Sequence, residues 1–297
     1  MGYFLQQLIN GVPIAALYAI LAFAYAVAFA VTRRADITVG ALFAFSGQVF
    51  ALFFYIAWQR YWLILPLCLL IGAVASLTYT GIAARLVAAH VLLPLKRSEA
   101  HAVIVGGYGV LIVLMEVARL ASQTRPIWLP PFLNTPVALI DMEGVRATLT
   151  LIQIINTVIL AVLLVACGYL LARSAWGRRW MAVRDDPLAA ELCGTDSRRL
   201  FIEAFCSAAL LSAIAGILLT SYYGTMDFGA GLMFGLKVVM LGALGGYSSP
   251  LRSAAGGAAL GMSETLWTAF GPATMRDVVI FSGLVFILAM TRRETHS

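Results

Sequence analysis

Residues 149–171 read LTLIQIINTVILAVLLVACGYLL, 23 positions without a single charge. The run does not alternate apolar with polar side chains, so it fits a helix crossing a bilayer and not a strand of a membrane barrel. A second stretch, Phe281 to Met290, has the same character. Composition extends the reading to the whole chain. Of 297 residues, 62% are hydrophobic and 11% charged, and the mean hydropathy is +0.92. Soluble domains carry roughly 25% charged residues, so a soluble globular enzyme is excluded. Nine spans of about 20 residues would occupy roughly 180 positions, close to the hydrophobic total. The expected fold class is therefore all-α, a polytopic transmembrane helical bundle of eight to nine spans, forming one domain over 1–297.

Apolar runs between polar breaks place spans near 4–31, 38–57, 62–84, 101–121, 148–172, 200–221, 232–248, 253–271 and 276–291, with 232–271 either two short helices or a broken one. The N-terminal MGYFLQQ lacks a basic region and a cleavage site follows nowhere clearly, so the first segment reads as a retained span. If loop 173–199 lies in the cytoplasm, fourteen of the twenty Lys and Arg residues fall on that side. The positive-inside rule then gives N-out and C-in. The other long loop, 122–147, is external. Its four prolines, Pro126, Pro130, Pro131 and Pro136, prevent a continuous helix, while Trp128, Leu129, Phe132 and Leu133 suit a bilayer interface or a docking surface. Cys68, Cys167, Cys193 and Cys206 show no metal-ligand spacing and read as packing residues.

Loop 173–199 contains GRRWMAVRDDPLAAELCG, Gly177 to Gly194. Asp186 suits an N-cap, Pro187 the first helical position and Gly194 a left-handed C-terminal stop. Pro187 to Cys193 then forms about two turns, too short to be stable alone. Pattern alone leaves two readings: a capped connector whose arginines set topology, or a helix completed by the groove of another protein.

Here the sequence resembles the LivH-like permease subunits of ABC importers of the branched-chain amino acid class. Gly177, Ala182, Asp186, Ala189, Ala190 and Gly194 stand at places corresponding to that family's cytoplasmic loop. Leu5 to Val31, Gly235 to Gly246, Gly256 to Trp267 and Met275 to Arg293 follow in the family's order. ADITVG, Ala35 to Gly40, and Leu93 to Gly109 depart from it. The resemblance implies pairing with a second, LivM-like permease subunit, two ATP-binding cassette ATPases that bind the ATP, and a periplasmic solute-binding protein. It places the chain in the bacterial inner membrane, surrounded by lipid, with no nucleic-acid partner and no cofactor of its own. Ala182, Asp186, Pro187, Ala189, Ala190, Glu191 and Gly194 would form the ATPase-coupling segment. The solute would be a branched-chain or other amino acid, with urea or an amide second.

Lys237 and Glu264 fall inside expected spans, where an ionised side chain costs about 2.5–3.5 kcal/mol at the centre and needs a partner or water. They either lock two helices together or border the solute path. Arg276 and Asp277 are expected at the external interface without a special role. Gly245 and Gly246 suit a helix break beside the path, and Gly256, Gly257 and Gly261 suit close helix packing.

The chain lacks G-x-x-x-x-G-K-[ST], and His90, His101 and His296 share no metal-like spacing, so no catalytic or metal site is expected. The competing function is an ion-coupled secondary transporter acting without an ATPase.

Overall fold

Helix α1 (Gly2–Thr32) forms the axis of the protein in a computed structural model that describes residues 2–95, 100–142, 145–245 and 249–294. From Leu17 onward nearly every α1 residue is buried, on all sides of the helix. That follows from a segment apolar all round, in which alternating alanines let neighbours approach closely. Gly257 and Gly261 of α10 (Pro250–Phe270) lie against the α1 main chain at Tyr18 and Ala15, where an added Cβ would collide with backbone. Gly256, one position away, faces open space. Two of the three glycines expected to serve packing therefore do so.

Helix α2 (Thr38–Tyr61) is the second buried element and packs on α3 (Leu65–Leu95), α8 (Ser197–Tyr223) and α9 (Ala230–Leu244). The main apolar core gathers Phe23, Leu42, Phe43, Phe201 and Phe205 from α1, α2 and α8. Helix α3 continues past its expected end at 84 through a π turn, Ala88–Leu92, in which the Leu93 N–H reaches the Ala88 carbonyl. Pro94 follows at once and cannot donate a backbone hydrogen bond, a common setting for such a widening.

Helices α4 (Ala100–Ala121) and α5 (Leu151–Arg173) leave most of their surface exposed, and α5 is only 11% buried along its most apolar window. An apolar face of that extent belongs against lipid or another subunit. Among the described residues, α1, α2, α3, α4, α5 and α8 are long and apolar enough to cross a membrane. The shorter α9, α10 and α11 (Arg276–Glu294) complete the helical bundle, so the region 232–271 is two helices.

The bundle is helical as expected, with one added element that the sequence reading did not contain. Loop 122–147 and the expected start of the next span hold an antiparallel hairpin, β1 (Pro136–Met142) with β2 (Val145–Thr150), pairing Pro136 with Thr150 and Met142 with Val145. Ala147 and Leu149 are buried on one face of β2, and the Gln6 side chain of α1 bonds both the N–H and the carbonyl of Thr148. The hairpin is thus tied to the first turns of α1, and Thr150 then caps α5 through a reciprocal box with Gln153. Upstream, the Leu129 N–H donates to the Gly224 carbonyl at 2.7 Å and its side chain is buried beside Phe50 and Phe54, while Trp128 stays exposed.

Candidate functional site

Loop 173–199 folds into two short helices, α6 (Ala175–Asp185) and α7 (Pro187–Leu192). The expected punctuation of α7 is present. Asp186 Oδ1 accepts the N–H groups of Leu188 at 2.9 Å and Ala189 at 3.2 Å, and Pro187 occupies the first turn. Gly194 adopts φ 83°, and its N–H together with that of Thr195 closes the helix on Glu191 and Ala190. Ala182, Asp186, Ala189 and Glu191 are exposed and Pro187 is half-buried. Ala190 is the exception: at 4% exposure it packs into the protein's own core and is closed to any partner. The apolar side chains that α7 does present are Leu188 and Leu192, 74% and 90% exposed. Their spacing of four residues was the available signal for them. Cys193, next in the chain, is exposed, so it is not the packing residue its composition suggested.

Helix α6 anchors α7 to the bundle. Trp180 and Val183, three apart on one face, are buried, and Arg33 at the end of α1 donates to the carbonyls of Arg184 and Asp185.

The second candidate feature is a cavity of about 490 Å³ between α1, α9, α10 and the start of α11. Lys237 on α9 and Glu264 on α10 meet there, with Nζ at 3.1 and 3.2 Å from the two carboxylate oxygens. Lys237 also reaches Tyr18 Oη at 3.3 Å and Asp277 Oδ1 at 3.2 Å. Its three N–H donors are therefore all engaged. Arg276 Nε lies 3.4 Å from Glu264 Oε1 and 3.3 Å from Asp277 Oδ1. Arg276 and Asp277 are thus not isolated interface residues; the turn after α10 folds them onto the pair. Two cations and two carboxylates balance, which is how buried charge is accommodated. Lys237 and Glu264 are almost fully buried, whereas Arg276 and Asp277 keep about two-fifths of their side chains exposed. Asp227, from the turn between α8 and α9, lines the same cavity, as do Met226, Met233 and Phe234.

Gly245 immediately follows the last residue of α9 and sits against Ser253 of α10, outside the cavity. Gly246 lies outside the described residues. Asp36, in the linker between α1 and α2, went unremarked in the sequence. It is 6% exposed, accepts hydrogen bonds from the Thr38 N–H and hydroxyl, and faces the Gly107 backbone of α4. Burial pushes its carboxyl up to about 6 against the opposing effect of those bonds.

Comparison with known proteins places the chain as a whole. A family profile described as "Branched-chain amino acid transport system / permease component" matches residues 7–290. The chain belongs to that family. This transport permease is 27% identical over 290 residues to the high-affinity branched-chain amino acid transport permease LivH of Salmonella typhimurium, covering 96% of this chain and 93% of that one. BraD of Pseudomonas aeruginosa, named for the same transport, is 25% identical over 295 residues with the same coverage. The fructose import permease FrcC of Rhizobium meliloti is 33% identical over 93 residues, 31% of this chain and 26% of its own. No solved structure matches. The chain is accordingly a multi-pass membrane permease component of an ABC transporter and not itself an enzyme.

Proposed function

We propose that this permease forms the translocation path of an ATP-driven importer for branched-chain amino acids, in the bacterial inner membrane. Nine spans carry it across, with α9, α10 and α11 added to the six long helices, N-terminus outside and C-terminus inside. Its partners are a second, LivM-like permease subunit, two cytoplasmic ATPases that bind the ATP, and a periplasmic solute-binding protein. The chain needs no cofactor. The family match over residues 7–290 is the observation that carries this reading. Two structural features support it: the cavity walled by Lys237, Glu264 and their neighbours, and the exposed, capped α7.

Helix α7 is the coupling helix of this reading. Six residues cannot hold a helix in water, and two exposed leucines suit a groove on an ATPase. The test is affinity isolation of the tagged chain from its native membrane. Stoichiometric P-loop ATPases are expected with the parent and lost with Leu188→Arg/Leu192→Arg. Isolation of the chain from its native membrane without any ATPase contradicts the reading.

A further inference from the structure

Helix α5 ends in a group of cations below an apolar face. Val158, Val162, Val165 and Tyr169 stand three or four residues apart, so they form one stripe along the helix, and each is more than half exposed. Arg173 follows Tyr169 by four residues, in the last turn, and is exposed as well. The 23 residues of α5 span about 34 Å, slightly more than a hydrocarbon core of about 30 Å, which puts Arg173 at the level of the lipid headgroups. The chain then turns sharply. Gly177 lies against the Leu171 main chain, where an added Cβ would collide with the carbonyl. Helix α6 leaves this corner with Trp180 and Val183 buried and Arg178 and Arg179 exposed.

Arg178 Nη1 donates to the Arg173 carbonyl at 3.1 Å, which sets its guanidinium at the end of α5, and Arg179 Nε donates to the Ala175 carbonyl at 3.4 Å. Each bond uses one of five N–H donors. Arg173, Arg178 and Arg179 have no ion pair among the described residues. The carboxylates that line a hollow with Arg179 are already engaged. Glu203 accepts from Arg199 Nε at 3.0 Å and from the Trp176 indole at 3.2 Å, and Asp196 caps α8 on the Arg199 N–H. Leu251, in the first turn of α10, packs against Gly168 of α5, and the exposed Arg252 beside it adds a fourth cation at this end.

An apolar stripe that runs into unanswered positive charge repeats the order of an anionic phospholipid, acyl chains and then phosphate. Guanidinium forks pair with phosphate oxygens bidentately, and each basic side chain at an anionic surface contributes about 5-fold in affinity. A helix of another protein could cover the stripe, but it would have to bring carboxylates to the headgroup level to answer the arginines. Lipid phosphate already stands there. We infer that the corner between α5 and α6 is a binding site for an anionic phospholipid of the cytoplasmic leaflet, its phosphate held by Arg173, Arg178 and Arg179 and its acyl chains lying on the stripe. The proposed orientation supplies only the choice of leaflet. The match of charge and apolar surface is independent of it and of the solute carried.

The test is native mass spectrometry of the full-length chain, and of the complete transporter, titrated in detergent with dioleoyl phosphatidylglycerol or dioleoyl phosphatidylcholine. The two lipids share their acyl chains and differ in net headgroup charge. The parent is expected to bind phosphatidylglycerol at least about 30-fold more tightly. Arg173→Gln/Arg178→Gln is expected to weaken that binding about 30-fold while phosphatidylcholine binding and the lipid-free thermal midpoint stay unchanged. If the double variant unfolds, the single substitutions are read instead, at about 5-fold each. Arg60→Gln/Arg125→Gln removes the same charge from exposed positions at the other end of the bundle and is expected to match the parent. Equal affinity of the parent for both lipids overturns the site, as does an equal loss in the two double variants, which would show attraction to net charge alone. Displacement of phosphatidylglycerol by inorganic phosphate at matched concentration assigns the arginines to a free anion and overturns the lipid as occupant. Lipid held by the chain but missing from the complete transporter places another subunit on this face and overturns it too. ATP-driven uptake on the same preparation separates the site from the importer reading. Uptake by a parent that does not distinguish the lipids removes the site and leaves the importer; selective lipid binding by a chain that isolates without an ATPase does the reverse.

Discussion

The indole N–H of Trp180 donates to the Val27 carbonyl at 3.1 Å, joining the helix next to α7 to the central helix α1. Trp180 is 1% exposed, and Val27 lies two and a half turns from Tyr18, which touches the buried ion pair. Helix α6, next to α7, is thus joined by one packed ring and one hydrogen bond to the helix whose Tyr18 lines the cavity. Trp180→Phe keeps most of the ring and loses the hydrogen bond, an expected cost of about 1 kcal/mol. Trp180→Ala also leaves a void and should cost about 3–5 kcal/mol. Thermal unfolding of the purified protein in detergent checks the order, and equal midpoints for both variants would mean that ring volume does not hold α6 in place.

The ion pair between Lys237 and Glu264 predicts non-additive losses. Lys237→Met leaves Glu264 and Asp277 with Arg276 alone, and Glu264→Leu leaves Lys237 and Arg276 with Asp277 alone, so each single variant leaves one charge unbalanced and should lose about 3–5 kcal/mol. The double variant removes one charge of each sign and should be distinctly more stable than either. A double-mutant cycle of unfolding midpoints measures this, and strictly additive losses would show that the two groups do not interact.

Close contact between α1 and α10 gives a prediction with its own control. Gly257→Leu places a side chain into the Tyr18 main chain, whereas Gly256→Leu points into open space. Size-exclusion profiles should show Gly257→Leu as aggregated and Gly256→Leu as the parent. Matching monodisperse peaks would disprove the backbone contact.

Asp36 predicts a pH dependence of stability. Its folded value of about 6 lies above the ordinary 3.8. Its favourable contribution is therefore fully present below about pH 4 and lost as pH rises through about 6, a change on the order of 3 kcal/mol. Asp36→Asn keeps an oxygen for Thr38 and abolishes the titration. The variant should exceed the parent in thermal midpoint at pH 8 and lack the parent's decline between pH 4 and 7; a decline that survives substitution belongs to another group.

What could be read from the sequence follows from the range of the forces involved. Asp186, Pro187 and Gly194 act on backbone groups within a few residues, so the limits of α7 were legible to within one position. The pairing of Lys237 with Glu264 was legible because apolar surroundings leave each charge few alternatives. Arg276 and Asp277 were not, because only the turn at Gly271 and Pro272 brings them back onto α10. The hairpin was obscured by its own composition. Val145, Ala147 and Leu149 alternate with Arg146, Thr148 and Thr150, but the pattern runs directly into the apolar segment that begins α5. Ala190 was misread for a related reason: small size fits a partner's groove and the chain's own core equally well, and only packing distinguishes them.

The most direct test of the account is solute uptake into proteoliposomes holding the affinity-isolated complex, supplied with its binding protein and L-leucine. We predict uptake that requires ATP inside the vesicle, ignores imposed proton and sodium gradients, and is abolished by Leu188→Arg/Leu192→Arg. Gradient-driven uptake by the chain alone, unaffected by ATP or by those substitutions, would contradict it and identify an ion-coupled carrier.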